Sequence, residues 1–373
     1  MTEPAGAAGA AGAAGAAARQ ARRWLPWLVA AAILAVLLAR LPRAQLLHAL
    51  AAGPSWKVAL CSAAVVGAAL LADVWATLAA FAATGVRCRW RGVLPARGAT
   101  YLLGLLNFAA GQGGMGLYLH RAGVGPLRVL GTLLFLFATQ IGALAAVAAA
   151  GIATDTIAAG AGGAGGGAMA GSLSAPAASL PALTGSLPAL TGSLPLLAAL
   201  AAAFALLLVL LAWRPAWLAR RRVLAPAFAA GGGGFLRATA ARLPHVLAMV
   251  AGLWLGLRLW GVALPLARGL VVLSVAVLVT VLPIAPSGLG TLELALVGLT
   301  SAYAPGPTVA AQRASVLAFS FVYHLFAIAA QAAVGVLCLA WLARRARLAR
   351  ARGDGGAPEC AIAPLSMPGP ARD

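Results

Sequence analysis

The run VALCSAAVVGAALLADVWATLAAFAA, residues 58–83, holds a single charged side chain, Asp73, and no proline. A helix of ~20 such residues, rising ~1.5 Å per residue, crosses the ~30 Å hydrocarbon core of a bilayer, so this run reads as a membrane-spanning helix. Residues 129–150, 195–213, 245–263 and 313–343 read the same way, with shorter runs at 24–39 and 269–282. Two further apolar segments, 99–119 and 283–303, are interrupted by glycine and proline.

The composition agrees. Of 373 residues, 62% are hydrophobic and 9% charged, and the mean hydropathy is +0.96, values that exclude an ordinary soluble domain. Lys plus Arg number 27 against 7 Asp plus Glu, a net charge of +20. The basic residues stand in short clusters between apolar runs, so they read as topogenic signals and not as a footprint for nucleic acid. A second reading of the same clusters is as sites for anionic lipid headgroups. Cys61, Cys88, Cys338 and Cys360 have no metal-ligand spacing, and neither a disulfide framework, a zinc site nor any cofactor is expected. A Gly-Ala-Ala repeat and Arg19, Arg22 and Arg23 make residues 1–23 a low-complexity basic tail. The run 24–39 looks like a secretory signal, but Leu37-Leu38-Ala39-Arg40 is a poor cleavage site, so it is expected to remain as the first helix.

Residues 129–213 and 269–312 contain no Lys or Arg. The first of these includes 151–194, rich in Gly, Ala, Ser and Pro, with Ser-Leu-Pro-Ala-Leu-Thr-Gly repeated at 179–185 and 186–192; it reads as a flexible external linker. If 99–119 re-enters from the cytoplasmic side and 287–303 makes a short crossing, the arginines of 84–128, 214–242 and the tail from Arg344 all face the cytoplasm, as the positive-inside bias requires. A full crossing at 99–119 would reverse that bias. The expected fold is therefore all-α: a polytopic integral membrane helical bundle of about eight transmembrane helices plus a re-entrant Gly-rich segment. Residues 24–343 form the membrane domain and 344–373 a basic cytoplasmic tail, in a bacterial cell membrane with both termini cytoplasmic.

Broken backbone survives at membrane depth only where protein or a polar cavity surrounds it, since each unpaired N–H or C=O costs several kcal/mol. The first such segment is Tyr101-Leu-Leu-Gly-Leu-Leu-Asn107-Phe-Ala-Ala-Gly111-Gln112-Gly113-Gly114-Met-Gly116. Its glycines are expected to expose amides beside Asn107 and Gln112; close helix packing through small residues is the alternative. The second is Leu282-Pro283-Ile-Ala-Pro286-Ser287-Gly288-Leu-Gly290-Thr291-Leu-Glu293. There Ser287 reads as an N-cap, and Gly288 and Gly290 leave the first N–H groups of a new helix open to a phosphate. Glu293, on the same face one turn deeper, either makes a structural hydrogen bond or engages an amine or a proton.

Arg313, Tyr323, His324 and Gln331 follow on the last long run, where His324 could pair with Glu293 or simply hydrogen-bond between helices. Asp73 is the remaining acid inside a clear span, either bonded to a neighbouring helix or part of a second polar site. Two broken segments, one in each half, suit a transporter with a site between related halves.

The second segment, followed by Arg313, Tyr323-His324 and Gly335, resembles the C-terminal signature of the lysylphosphatidylglycerol synthase transmembrane region, a flippase-like family. In that signature Pro-x-x-Pro-Gly-Gly-x-Gly-x-x-Glu precedes a Tyr-Arg pair. The resemblance extends over residues 24–343, and Asn107 to Gly114 falls where the family carries an Asn followed by Pro-Gly and Gly. Ala110 stands where the family has Pro, an Arg after that motif is replaced near Tyr118, and His324 replaces the Arg of the Tyr-Arg pair. The soluble synthase domain of full-length relatives is expected to be missing.

The resemblance implies a translocase for a phospholipid or lipid-linked headgroup, and not an enzyme. Its substrate-binding residues would be Asn107, Gly111, Gln112, Gly114, Pro286, Ser287, Gly288, Gly290, Glu293, Tyr323 and His324, and its partners membrane lipids. The alternative is a non-transporting membrane subunit that recruits a lipid-modifying enzyme through its basic loops and tail.

Overall fold

The computed structural model describes residues 28, 30–39, 42–106, 108–164, 202, 204–281, 285–351 and 360–362. Asn107, Pro283 and most of the expected linker lie outside the described residues. The described chain is an all-α bundle, the form in which an apolar chain can pair its own backbone groups in lipid. In order it comprises α1 (Ala30–Ala39), α2 (Arg43–Ala52), α3 (Ser55–Ala83), β1 (Val86–Cys88), α4 (Trp90–Leu106), α5 (Phe108–Arg121) and α6 (Pro126–Ala164). There follow α7 (Phe204–Trp213), α8 (Ala216–Ala219), α9 (Ala225–Leu259), α10 (Leu266–Val281), a 3₁₀ turn (Pro286–Gly288), α11 (Thr291–Thr300), α12 (Val309–Ala351) and β2 (Cys360–Ile362).

Among the described residues four helices are long and apolar enough to cross a membrane: α3, α9 and the stretches Pro126–Asp155 of α6 and Val309–Leu348 of α12. The apolar pair α1 and α2 is bent by 99°, and α7 and α10 are shorter apolar helices. Large apolar side chains such as Trp213, Leu325, Leu337 and Trp341 face outward, a surface that suits lipid and not water. The protein is thus a membrane-embedded helical bundle.

Several boundaries differ from the sequence reading. Helix α6 runs on to Ala164, so the first third of the expected linker is helical. Helix α9 starts at Ala225 instead of residue 245 and bends at Gly231, whose φ of 63° suits glycine. The arginine-rich stretch 214–242 is therefore largely helix, not loop. Helix α12 carries the first arginines of the expected tail, with Arg345 stacked over Trp341 at 4.9 Å.

The cysteine reading is corrected as well. Cys88 and Cys360, 272 residues apart, form a disulfide. It sits in a two-stranded antiparallel ladder pairing Val86 with Ile362 and Cys88 with Cys360. Three-residue strands with no alternating pattern give no signal in a sequence, and neither does a cysteine pair brought together only by the tertiary fold.

Helix α9 contributes to two apolar clusters. One joins Val246, Val250, Leu253 and Leu257 to Leu273 and Ala276 of α10, Leu296 of α11 and Phe319 of α12. The other joins Phe235 to Val74 and Phe81 of α3, Val93 of α4, Met115 of α5 and Phe135 of α6.

Candidate functional site

Charged side chains buried in an apolar bundle need polar partners, and Asp73, Arg97, His245 and His324 border one cavity of about 260 Å³. That is slightly below the ~300–1,000 Å³ usual for small-molecule pockets, a size for a polar headgroup and not for acyl chains. Each wall is one helix face at a spacing of three or four residues. Ala69 and Asp73 come from α3; Arg97, Thr100, Tyr101 and Gly104 from α4; and His324, Ala327, Ile328 and Gln331 from α12. Gly111 and Gln112 of α5, His245 of α9, Thr280 of α10 and Ser287 complete much of the polar lining.

Asp73, essentially fully buried, accepts hydrogen bonds from Arg97 Nε and Arg242 Nη1. Arg97 Nη1 reaches Gln112 Oε1 at 3.4 Å. One turn from Arg242, the Nδ1 atom of His245 lies 3.0 Å from the Ala69 carbonyl on the α3 face that carries Asp73. A buried carboxylate needs such partners, and two guanidiniums more than neutralise it.

The second broken segment behaves differently from its sequence reading. Ser287 is no N-cap: its backbone is left-handed, with φ 52°, and its hydroxyl donates to the Leu105 carbonyl at 2.6 Å. That bond ties the turn before α11 to the end of α4, so the two broken segments touch. Gly288 has φ 75°, and a Cβ there would lie 3.0 Å from Thr280, two reasons for glycine. The amide of Gly290, the N-cap of α11, is not open to a ligand. Glu293 Oε2 accepts the Gly290 N–H at 2.6 Å, and its Oε1 lies 2.7 Å from His324 Nδ1. The expected Glu293–His324 pair therefore forms, with His324 on the cavity wall and the fully buried Glu293 behind it.

The first broken segment is likewise corrected. Residues 108–121 are helical throughout, so no run of amides after Gly111 is exposed. A Cβ on Gly111 would lie 3.2 Å from the Gly104 backbone, and one on Gly114 would lie 2.7 Å from Leu103. The glycines let α5 pack closely on α4, the small-residue packing that was the alternative reading.

Of the residues singled out in the sequence, the cavity gathers Asp73, Gly111, Gln112, Ser287, Tyr323, His324 and Gln331 on its lining. Gly114, Gly288, Gly290 and Glu293 support that lining from behind, and Pro286 opens the 3₁₀ turn. Arg97, Tyr101, Arg242, His245 and Thr280 were missed. The available signal was Asp73 itself, an acid inside a span that demands cationic partners, together with two arginines set among apolar neighbours, Ala96-Arg97-Gly98 and Ala241-Arg242-Leu243. Compared with known proteins, the chain matches no family model and no curated protein.

Proposed function

We propose that the protein is a flippase-like membrane translocase for a phospholipid or lipid-linked headgroup. The observation that supports this reading best is the cavity itself, where both broken segments and a buried charged cluster share one lining. A headgroup enters this space while its acyl chains stay against the outward apolar faces of the bundle. Helices α4 and α5 dip in from the cytoplasmic side, and about eight crossings leave both termini in the cytoplasm of a bacterial cell. Glu293 holds the start of α11 and the His324 ring in place, and His324 meets the headgroup.

Leaflet exchange of fluorescent phospholipids in vesicles containing the purified protein tests this directly, with His324→Leu as the paired control. Exchange in the wild type at least tenfold above protein-free vesicles, lost in the variant, is the expected outcome. Correctly inserted protein that moves no phospholipid rejects the reading and favours the recruiting subunit.

A further inference from the structure

Resting on the translocase reading, we infer that the Arg97–Asp73–Arg242 cluster is a binding subsite for the phosphate of a ligand that carries a net negative charge. Asp73 is shared by two guanidiniums, so the cluster carries one net positive charge.

Among the described residues no other acid is paired with the cluster. Glu293 is committed to His324 and the Gly290 N–H, and Asp155 lies 3.7 Å from Arg268. His245, against the Ala69 carbonyl, brings no negative charge. An uncompensated cation inside a membrane protein is costly, and an anion in the adjoining cavity supplies the compensation.

Hydrogen-bonding capacity is unspent too. Arg242, 3% exposed and with an unpartnered Nε, stands off the cavity lining, so Arg97 is the guanidinium that meets the cavity. Arg97 borders the cavity beside Thr100, Tyr101 and Gln112, which add neutral polar groups. Guanidiniums suit phosphate because their planar donors match its oxygens in pairs. At the helix start that would compete for the role, the Gly290 N–H is taken by the Glu293 carboxylate.

The test uses the full-length protein in detergent, titrated below their micellar concentrations with dihexanoyl phosphatidylglycerol, dihexanoyl phosphatidylcholine and inorganic phosphate. The anionic lipid should bind about tenfold more tightly than the zwitterionic one, a difference that Arg97→Gln should abolish. Asp73→Asn raises the cluster to two net charges, so it should tighten anion binding, whereas a purely structural triad would lose binding in both variants. Inorganic phosphate binding as tightly as the anionic lipid would support the subsite and name free phosphate as its ligand; weaker phosphate binding would support it and name the lipid.

Equal affinity of the wild type for both lipids overturns the subsite, a result that needs no variant to fold. So does weaker anion binding by folded Asp73→Asn. Leaflet exchange separates the two claims. Anion-selective binding without exchange retains the subsite and rejects the translocase, and exchange indifferent to headgroup charge does the reverse.

Discussion

At the scale of single residues, a carboxylate far from water has to be matched, and the two buried acids are matched in different ways. Asp73 takes two guanidiniums from other helices. Glu293 takes one imidazole and the N-cap amide of its own helix. Truncating either member of the second pair strands its partner, so Glu293→Ala and His324→Ala should each destabilise the protein by about 3 kcal/mol. The double variant should fall short of their sum by ~0.5–3 kcal/mol, as measured by denaturant titration of the solubilised protein; strict additivity would show the pair to be uncoupled. This pair was legible in the sequence because Glu293 and His324 are each a lone titratable group in an apolar run. The partners of Asp73 were not, because Arg97 and Arg242 stand in arginine-rich stretches that the positive-inside bias explains equally well. Their pairing with Asp73, across 24 and 169 residues, is information held only by the tertiary fold.

At the scale of elements, the glycine-rich stretch after Asn107 illustrates how one composition serves two structures. Glycine costs a helix about 1 kcal/mol relative to alanine, so a cluster of glycines reads from sequence as a break. Here the cost is offset by the close approach of α5 to α4, and the segment stays helical. The glycines are not equivalent, however. Gly111 faces the α4 backbone, whereas a Cβ on Gly113 would meet nothing within 4 Å. Gly111→Ala should therefore push the hairpin apart and cost about 1 kcal/mol, while Gly113→Ala should stabilise the protein by about 0.5–1 kcal/mol. Thermal unfolding of the two variants checks this, and equal shifts would remove the packing explanation. The long apolar helices were readable from length and hydropathy alone. The bend at Gly231 and the seam between Ser287 and Leu105 were not, because each depends on a neighbour that the local sequence does not contain.

At the scale of the whole molecule, several arginines gather at the end of the bundle where α3 stops and α4 starts. Arg128 donates to the Thr84 and Gly85 carbonyls, and Arg345 donates to the Arg91 carbonyl. The Cys88–Cys360 disulfide belongs to the same end, with Ile362 lying against Gly123. Two orientation rules now meet on one surface. Clustered arginines mark the cytoplasmic side of a membrane, whereas disulfides persist on the oxidising side. Many arginines on one face outweigh one cysteine pair, because the charge bias acts as the chain inserts and the disulfide forms only after folding has joined its halves. In the proposed orientation the arginine-rich end faces the cytoplasm, whose reductants would keep Cys88 and Cys360 as thiols until the protein meets an oxidant such as a low-molecular-weight disulfide or air. Intact cells treated with a permeant maleimide before lysis should yield protein alkylated at both cysteines, read by mass spectrometry of the peptides. Protein purified without that treatment should resist alkylation at both until it is reduced. Cysteines already protected inside intact cells would place this end outside, turning the bundle over and putting the linker between α6 and α7 in the cytoplasm.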